Sequence, residues 1–200
     1  YFGIGLTTIA AIILIARVFD AVTDPLIGYL SDRYHARTGT RKPFIVGGAL
    51  LLILSAYFLF IPTGFAPLQA FDPTDIGYTH VSTTYFLMAL LAFYLAWTIF
   101  EIPHMAWASE LAPNTADKNK IYTLRAMAGF IGLLLFYGVP LLPLFNTKDM
   151  TPQTLQWAFM IAAVLLLPLL FVCTKQVPNS PQGHTIVLDK NIRHDNITAL

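Results

Sequence analysis

Charge is the first thing this sequence lacks. Only 12% of its 200 residues are Asp, Glu, Lys or Arg, against about 25% in soluble domains. Cysteine is nearly absent too. Cys173 stands alone in an apolar run, so no disulfide framework exists within the chain, and the thiol reads as packing or lipid-facing. The opening YFGIGLTTIAAIILIA has neither the basic stretch nor the small-residue cleavage site of a secretory signal peptide, and no initiator Met precedes it. We therefore read it as the start of a fragment. No Ser/His/Asp constellation or metal-ligand spacing occurs, and the histidines at 35, 80, 104, 184 and 194 are scattered. Neither an enzyme nor a nucleic-acid partner is expected.

Apolar residues are plentiful. A hydrophobic share of 56%, an aromatic share of 14% and a mean hydropathy of +0.63 describe a multispanning membrane protein. Five stretches approach the ~20 apolar residues that a bilayer requires: about 5–30, 44–61, 84–108, 124–145 and 155–174. The fourth is interrupted by Pro140 and Pro143. Each is expected to be helical, because lipid offers backbone amides no partner outside the segment. The short alternating segments of a barrel are missing. The expectation is an all-α membrane protein, with a bundle over 1–175 and a linker over 176–200. In that linker Asn196-Ile197-Thr198 reads as a chance match to a glycosylation pattern.

Lysine and arginine set the expected orientation. Arg33, Arg37, Arg41 and Lys42 lie between spans one and two, Lys118 and Lys120 between three and four, and Lys175, Lys190 and Arg193 after five. The loop from Pro62 to Ser82 has none. These basic loops alternate correctly for a cytoplasmic side, which places the visible N-terminus outside and the C-terminus inside. The Pro62–Ser82 loop, with Phe65, Phe71 and Tyr78, is either an exposed loop or a cover over the outer mouth.

The chain is organised around residues 17 to 42. Arg17, Asp20, Asp24 and Gly28 share one helical face at about 100° per residue. An ion at mid-bilayer costs ~2.5 kcal/mol or more, so three on one stripe must face each other or a polar cavity. Two carboxylates one turn apart with nearby hydroxyls (Thr23, Thr98) suit Na⁺ or a shared proton. The alternative is a fixed ion-pair network holding helices together. Pro25 and Pro103 free the carbonyls of Ala21 and Ile99, either as cation ligands or merely as packing kinks. Glu101 lies deep in span three, one turn beyond Thr98. Arg125 is either a donor to solute hydroxyls or Glu101, or a snorkelling anchor. Tyr94, Trp97 and Trp107 either stack on a solute ring or pack, and His104 either packs or relays protons.

Two motifs carry a family resemblance. Asp20-Ala21-Val22-Thr23-Asp24-Pro25, followed by Gly28, Asp32-Arg33, Arg37, Gly39 and Arg41, resembles the glycoside–pentoside–hexuronide:cation symporters of the major facilitator superfamily. Thr98 with Glu101-Ile102-Pro103, and Arg125 beyond, is similar to a second motif of that family. The resemblance covers most of 1–175. It implies an N-terminal half, helices two to six of twelve, in a bacterial inner membrane. It implies a cation site at Asp20, Asp24, Thr98 and Thr23, the last standing where the family has asparagine. It also implies substrate contacts at Arg17, Glu101, Arg125, Trp107 and Met105. Met105 occupies the family's sugar-stacking tryptophan position, and Glu101 that of an aspartate. Gly28, Asp32, Arg33, Arg37 and Arg41 match a gating motif whose salt bridges close the inward side.

The function so implied is alternating-access symport of a sugar or glycoside with Na⁺ or H⁺, with no tightly bound cofactor. Carriage of a lysolipid or organic acid, or a non-transporting scaffold, are the alternatives.

Overall fold

The structure, a computed structural model, describes residues 5–61, 82–112, 114–143, 145 and 148–179. The aromatic loop residues Phe65, Phe71 and Tyr78 and the Asn196 pattern lie outside the described residues. Five helices make up the fold: α1 (Leu6–Thr38), α2 (Lys42–Phe60), α3 (Thr83–Leu111), α4 (Thr115–Gly138) and α5 (Pro152–Gln176). The shortest has 19 residues, about 28 Å at 1.5 Å per residue, so every one can cross a hydrocarbon core. The all-α expectation holds among the described residues.

The helix ends differ from those read off hydropathy, for local reasons. α1 runs past Leu30 to Thr38 because the polar turns there continue the hydrogen-bonded ladder. Gly39 stops it with φ 71°, a left-handed conformation that favours glycine, and its N–H donates to the His35 carbonyl. α4 begins at Thr115 rather than near 124, where Asn114 accepts a 2.9 Å bond from the Asp117 N–H. It ends at Gly138 in a single 3₁₀ turn, Val139–Leu141, because Pro140 has no N–H for the ladder. At α5 the Thr151 and Thr154 side chains cap each other's backbone N–H groups.

Packing centres on α3. Small residues let α2 approach it backbone to backbone: a Cβ on Gly48 would stand 2.5 Å from the Phe100 nitrogen. Ala49, Ala56, Ala89 and Ala96 are buried in the same bundle. α1 buries a stripe of Ile12, Ala16, Thr23, Ile27, Ser31 and His35, and packs against α3. Phe159 of α5 meets Tyr57 and Phe60 of α2 at ring separations of 6.3 and 6.4 Å. α4 has no fully buried residue. An apolar cleft of about 360 Å³ separates its Phe136 from Ile53, Trp97, Phe159 and Leu166. Trp97, a stacking candidate in the sequence, thus sits in an apolar wall. The outward faces of α1, α4 and α5 expose leucine, isoleucine, valine and phenylalanine, as a lipid-facing surface requires.

Candidate functional site

Helical periodicity brings the α1 stripe together with one face of α3. Arg17 Nη1 lies 3.8 Å from Asp20 Oδ2, and its guanidinium sits 5.5 Å from the Tyr94 ring centroid. One turn on, Asp24 Oδ1 accepts a 3.0 Å hydrogen bond from the Thr98 hydroxyl. Asp20 Oδ1 is buried and has no hydrogen-bond partner among the described residues. Tyr94, Thr98, Glu101 and Met105 follow i, i+4, i+7, i+11 spacing, which aligns them along α3. Arg125 of α4 donates from Nη2 to Glu101 Oε1 across the gap between the two helices. A line of charged side chains thus runs Arg17, Asp20, Asp24, Glu101, Arg125, with a guanidinium at each end and three carboxylates between.

Two expected site residues are not brought to this line. The Thr23 hydroxyl donates to the carbonyls of Phe19 (3.1 Å) and Asp20 (3.4 Å) in its own helix, on the buried stripe. Such back-bonding is the usual fate of a threonine inside an apolar helix. Trp107 is 2% exposed at the end of α3. Its Nε1 donates 3.1 Å to the Pro178 carbonyl, and Lys42 Nζ lies 5.5 Å from its ring centroid. Burial and this bond occupy the indole, so its faces are not free to stack on a solute. Met105 is half-buried, on the Glu101 side of α3.

At the opposite end of α1 the basic motif folds onto itself. Arg41 is 6% exposed. It donates from Nη1 to Asp32 Oδ1 (2.7 Å) and Ser31 Oγ (2.9 Å), and from Nη2 to Glu110 Oε1 (2.7 Å). Burial alone would lower its pKa; Glu110 and Asp32 outweigh that and raise it, so the guanidinium stays charged. His35 Nδ1 is 3.9 Å from Glu110 Oε1. Arg33 and Arg37 are exposed and form no ion pair among the described residues, Arg33 reaching only the Tyr29 hydroxyl at 3.5 Å. Among the described residues, the expected inward salt bridges thus reduce to Arg41 with Asp32.

Glu110 and Lys42 are the residues that sequence reasoning missed. An acid in the last turn of a helix opposes the helix dipole, so Glu110 by itself signals a cationic partner. Lys42 Nζ donates 2.8 Å bonds to the carbonyls of Thr174 and Val177, the C-terminus of α5, where a cation is favoured. Gly28 stands where a Cβ would meet Ile102 at 3.8 Å, ordinary contact. The His104 ring stacks on Phe100 at 5.6 Å and leaves a buried Nδ1 without a partner among the described residues. No group of three or more His, Cys, Asp or Glu side chains gathers as a metal site among the described residues.

A multispanning helical membrane protein with a charge-lined stripe on a membrane-crossing helix is the architecture of a solute transporter. The family described as MFS/sugar transport protein matches residues 1–190. The chain belongs to that family, whose members are transporters rather than enzymes. It is 26% identical over 157 residues to the uncharacterized symporter YnaJ of Bacillus subtilis, covering 78% of this chain and 31% of that protein. It is also 26% identical to two Escherichia coli proteins, the putative glycoside/cation symporter YagG and the inner membrane symporter YicJ. These alignments cover 88% and 92% of this chain, and 36% and 38% of the relatives. The chain thus spans about a third of the length of these curated relatives. No solved structure matches it.

Proposed function

We propose that this chain is part of a cation-coupled sugar symporter that works by alternating access. Asp20 and Asp24, with Thr98 as a neutral donor, are its cation site; Glu101 and Arg125 contact the sugar, with Met105 beside them. The observation that carries this reading is the Asp20–Asp24 pair inside a lipid-crossing helix, with one buried oxygen of Asp20 unpartnered. A fixed structural network would satisfy that oxygen, because an unpaired buried acceptor is costly. Na⁺ or a proton satisfies it instead. Likeness to a protein named as a glycoside/cation symporter supports both halves of the reading.

Filling the pair with a cation removes a negative charge from the wall that the solute meets, and so couples the two bindings. Linkage then requires solute to tighten cation binding by the same factor. The basic end, with Arg33, Arg37 and Arg41, faces the cytoplasm of a bacterial inner membrane in this reading, and the Arg41–Asp32 pair belongs to its inward gate. The test is sugar uptake by the full-length transporter carrying Asp24→Cys. Loss of gradient-driven accumulation, with exchange of preloaded sugar retained, is the expected result. Unchanged accumulation removes the coupling role.

Arg125→Ala provides the second arm. Sugar affinity should fall at least about tenfold, the loss of a charged hydrogen-bond donor of about 1.5–3 kcal/mol. Retained affinity returns Arg125 to an anchoring role.

A further inference from the structure

The chain leaving α5 is held against the basic end of the bundle by side chains from two other places. Lys42 Nζ donates 2.8 Å bonds to the carbonyls of Thr174 and Val177. Trp107 Nε1 donates to the Pro178 carbonyl at 3.1 Å. Thr40 Oγ1 donates to Asn179 Oδ1 at 3.3 Å and accepts from the Lys42 N–H at 3.2 Å. The sequence explains why Lys42 is needed. A continuing helix would cap the Thr174 carbonyl with the N–H four residues on, but that residue is Pro178, which has none. A lysine ammonium supplies the donor instead, at a helix end that favours positive charge.

The same contacts flank the buried Arg41. Along 40–42 the outer two side chains, Thr40 and Lys42, turn to the chain after α5, and Arg41 turns to α1 and α3. The last turns of α3 divide the same way: Trp107 bonds Pro178, and Glu110 bonds Arg41. Lys42 Nζ, 5.5 Å from the Trp107 ring centroid, joins the two stretches. Only residues 39–41 link α1 to α2, and Gly39 stands at φ 71°. A short link outside any helix leaves its side chains free to choose rotamers unless neighbours restrain them. Arg41 reaches Ser31, Asp32 and Glu110 at once, so it needs that restraint.

We propose that residues 177–179 form a strap that positions Arg41, with Lys42 and Trp107 as the positioning residues that hold it. Its bearing on transport rests on reading the Arg41–Asp32 pair as part of the inward gate. Releasing the strap frees the α1–α2 link, lets Arg41 leave its acids and opens the buried ground beneath it, where Ser31 is 1% exposed. The far part of α2 does not depend on the strap, because Tyr57 and Phe60 pack on Phe159 of α5.

The experiment uses purified full-length transporter in lipid nanodiscs and a water-soluble maleimide. Ser31→Cys places a thiol beneath Arg41. Ser55→Cys, at a site 8% exposed and about 20 Å along α2 from Lys42, is the control. Labelling at each position is followed by peptide mass spectrometry. Adding Lys42→Met should raise the labelling rate at position 31 at least about tenfold, the factor of one lost charged hydrogen bond, and leave position 55 unchanged. Lys42→Arg keeps a cationic donor at the α5 end and should restore protection. Unchanged labelling at position 31 in Lys42→Met overturns the proposal. Equal rises at both positions overturn it too, because Lys42 then stabilises the bundle as a whole. Should Lys42→Met fail to fold, Trp107→Phe decides: it loses one neutral bond, and a rise of about threefold at position 31 alone is expected. No rise there overturns the strap. Neither sugar nor coupling cation enters the measurement, so its failure leaves the symport reading standing, and failure of symport leaves the strap.

Discussion

The Thr98 hydroxyl donates a 3.0 Å hydrogen bond to Asp24 Oδ1, joining helices whose residues are 74 positions apart in sequence. It orients one carboxylate of the α1 pair and leaves the other, Asp20, with a buried free oxygen. A neutral donor suits this position because it holds the carboxylate without cancelling its charge.

Thr98→Val removes that donor at nearly constant volume. A hydrogen bond to a charged group contributes about 1.5–3 kcal/mol, so the cation concentration for half-maximal uptake should rise roughly tenfold or more. Thr98→Ser should restore most of it. Uptake measured against Na⁺ and against pH checks both variants; an unchanged cation dependence in Thr98→Val removes Thr98 from the site.

Gly48→Ala places a methyl group 2.5 Å from the Phe100 nitrogen and 2.7 Å from its Cα, so α2 and α3 must part. Overpacking of this kind costs about 1–3 kcal/mol. The neighbouring Gly47→Ala meets nothing within 4 Å. Thermal unfolding in detergent should show a lowered midpoint for the first and little change for the second.

The Arg41 cluster predicts an asymmetry between its two acids. Glu110 is 29% exposed and accepts from both Nη2 and Nε, whereas Asp32 is 67% exposed and accepts from Nη1. Glu110→Gln leaves a buried guanidinium short of charge and should destabilise the bundle by up to about 3–5 kcal/mol. Asp32→Asn, more nearly a surface pair, should cost about 1 kcal/mol or less. Denaturation of both variants side by side tests the ordering.

Trp107→Phe removes the bond to Pro178 while keeping an aromatic ring over Lys42. Stability should fall by about 1 kcal/mol, the worth of one hydrogen bond, with sugar affinity unchanged. A large loss of sugar affinity at constant stability would place the indole in the binding site after all. Stopped-flow binding together with thermal unfolding separates the two outcomes.

The Asp20–Asp24 stripe was legible in the sequence because helical periodicity and the cost of charge in lipid depend on local spacing alone. Arg125 was legible only as a pair of alternatives, since it lies 24 residues from Glu101 and nothing local dictates which groups meet. Thr23 and Trp107 lie off the charged line for reasons of their own. Spacing puts Thr23 beside the acids, but the hydroxyl is taken by its own backbone. Trp107 lies close to Glu101 in the chain, yet a six-residue step turns it to another side of α3.

The sequence by itself determined that the chain crosses a bilayer as helices and that its first helix carries charges unable to face lipid. Both follow from the price of unsatisfied polar groups in hydrocarbon, which depends on composition within one segment. Only the tertiary structure decided which charges meet: Thr98 with Asp24, Arg125 with Glu101, and Arg41 with Glu110. Those pairings depend on how closely helices approach, and at Gly48 that distance is set by a side chain that is not there.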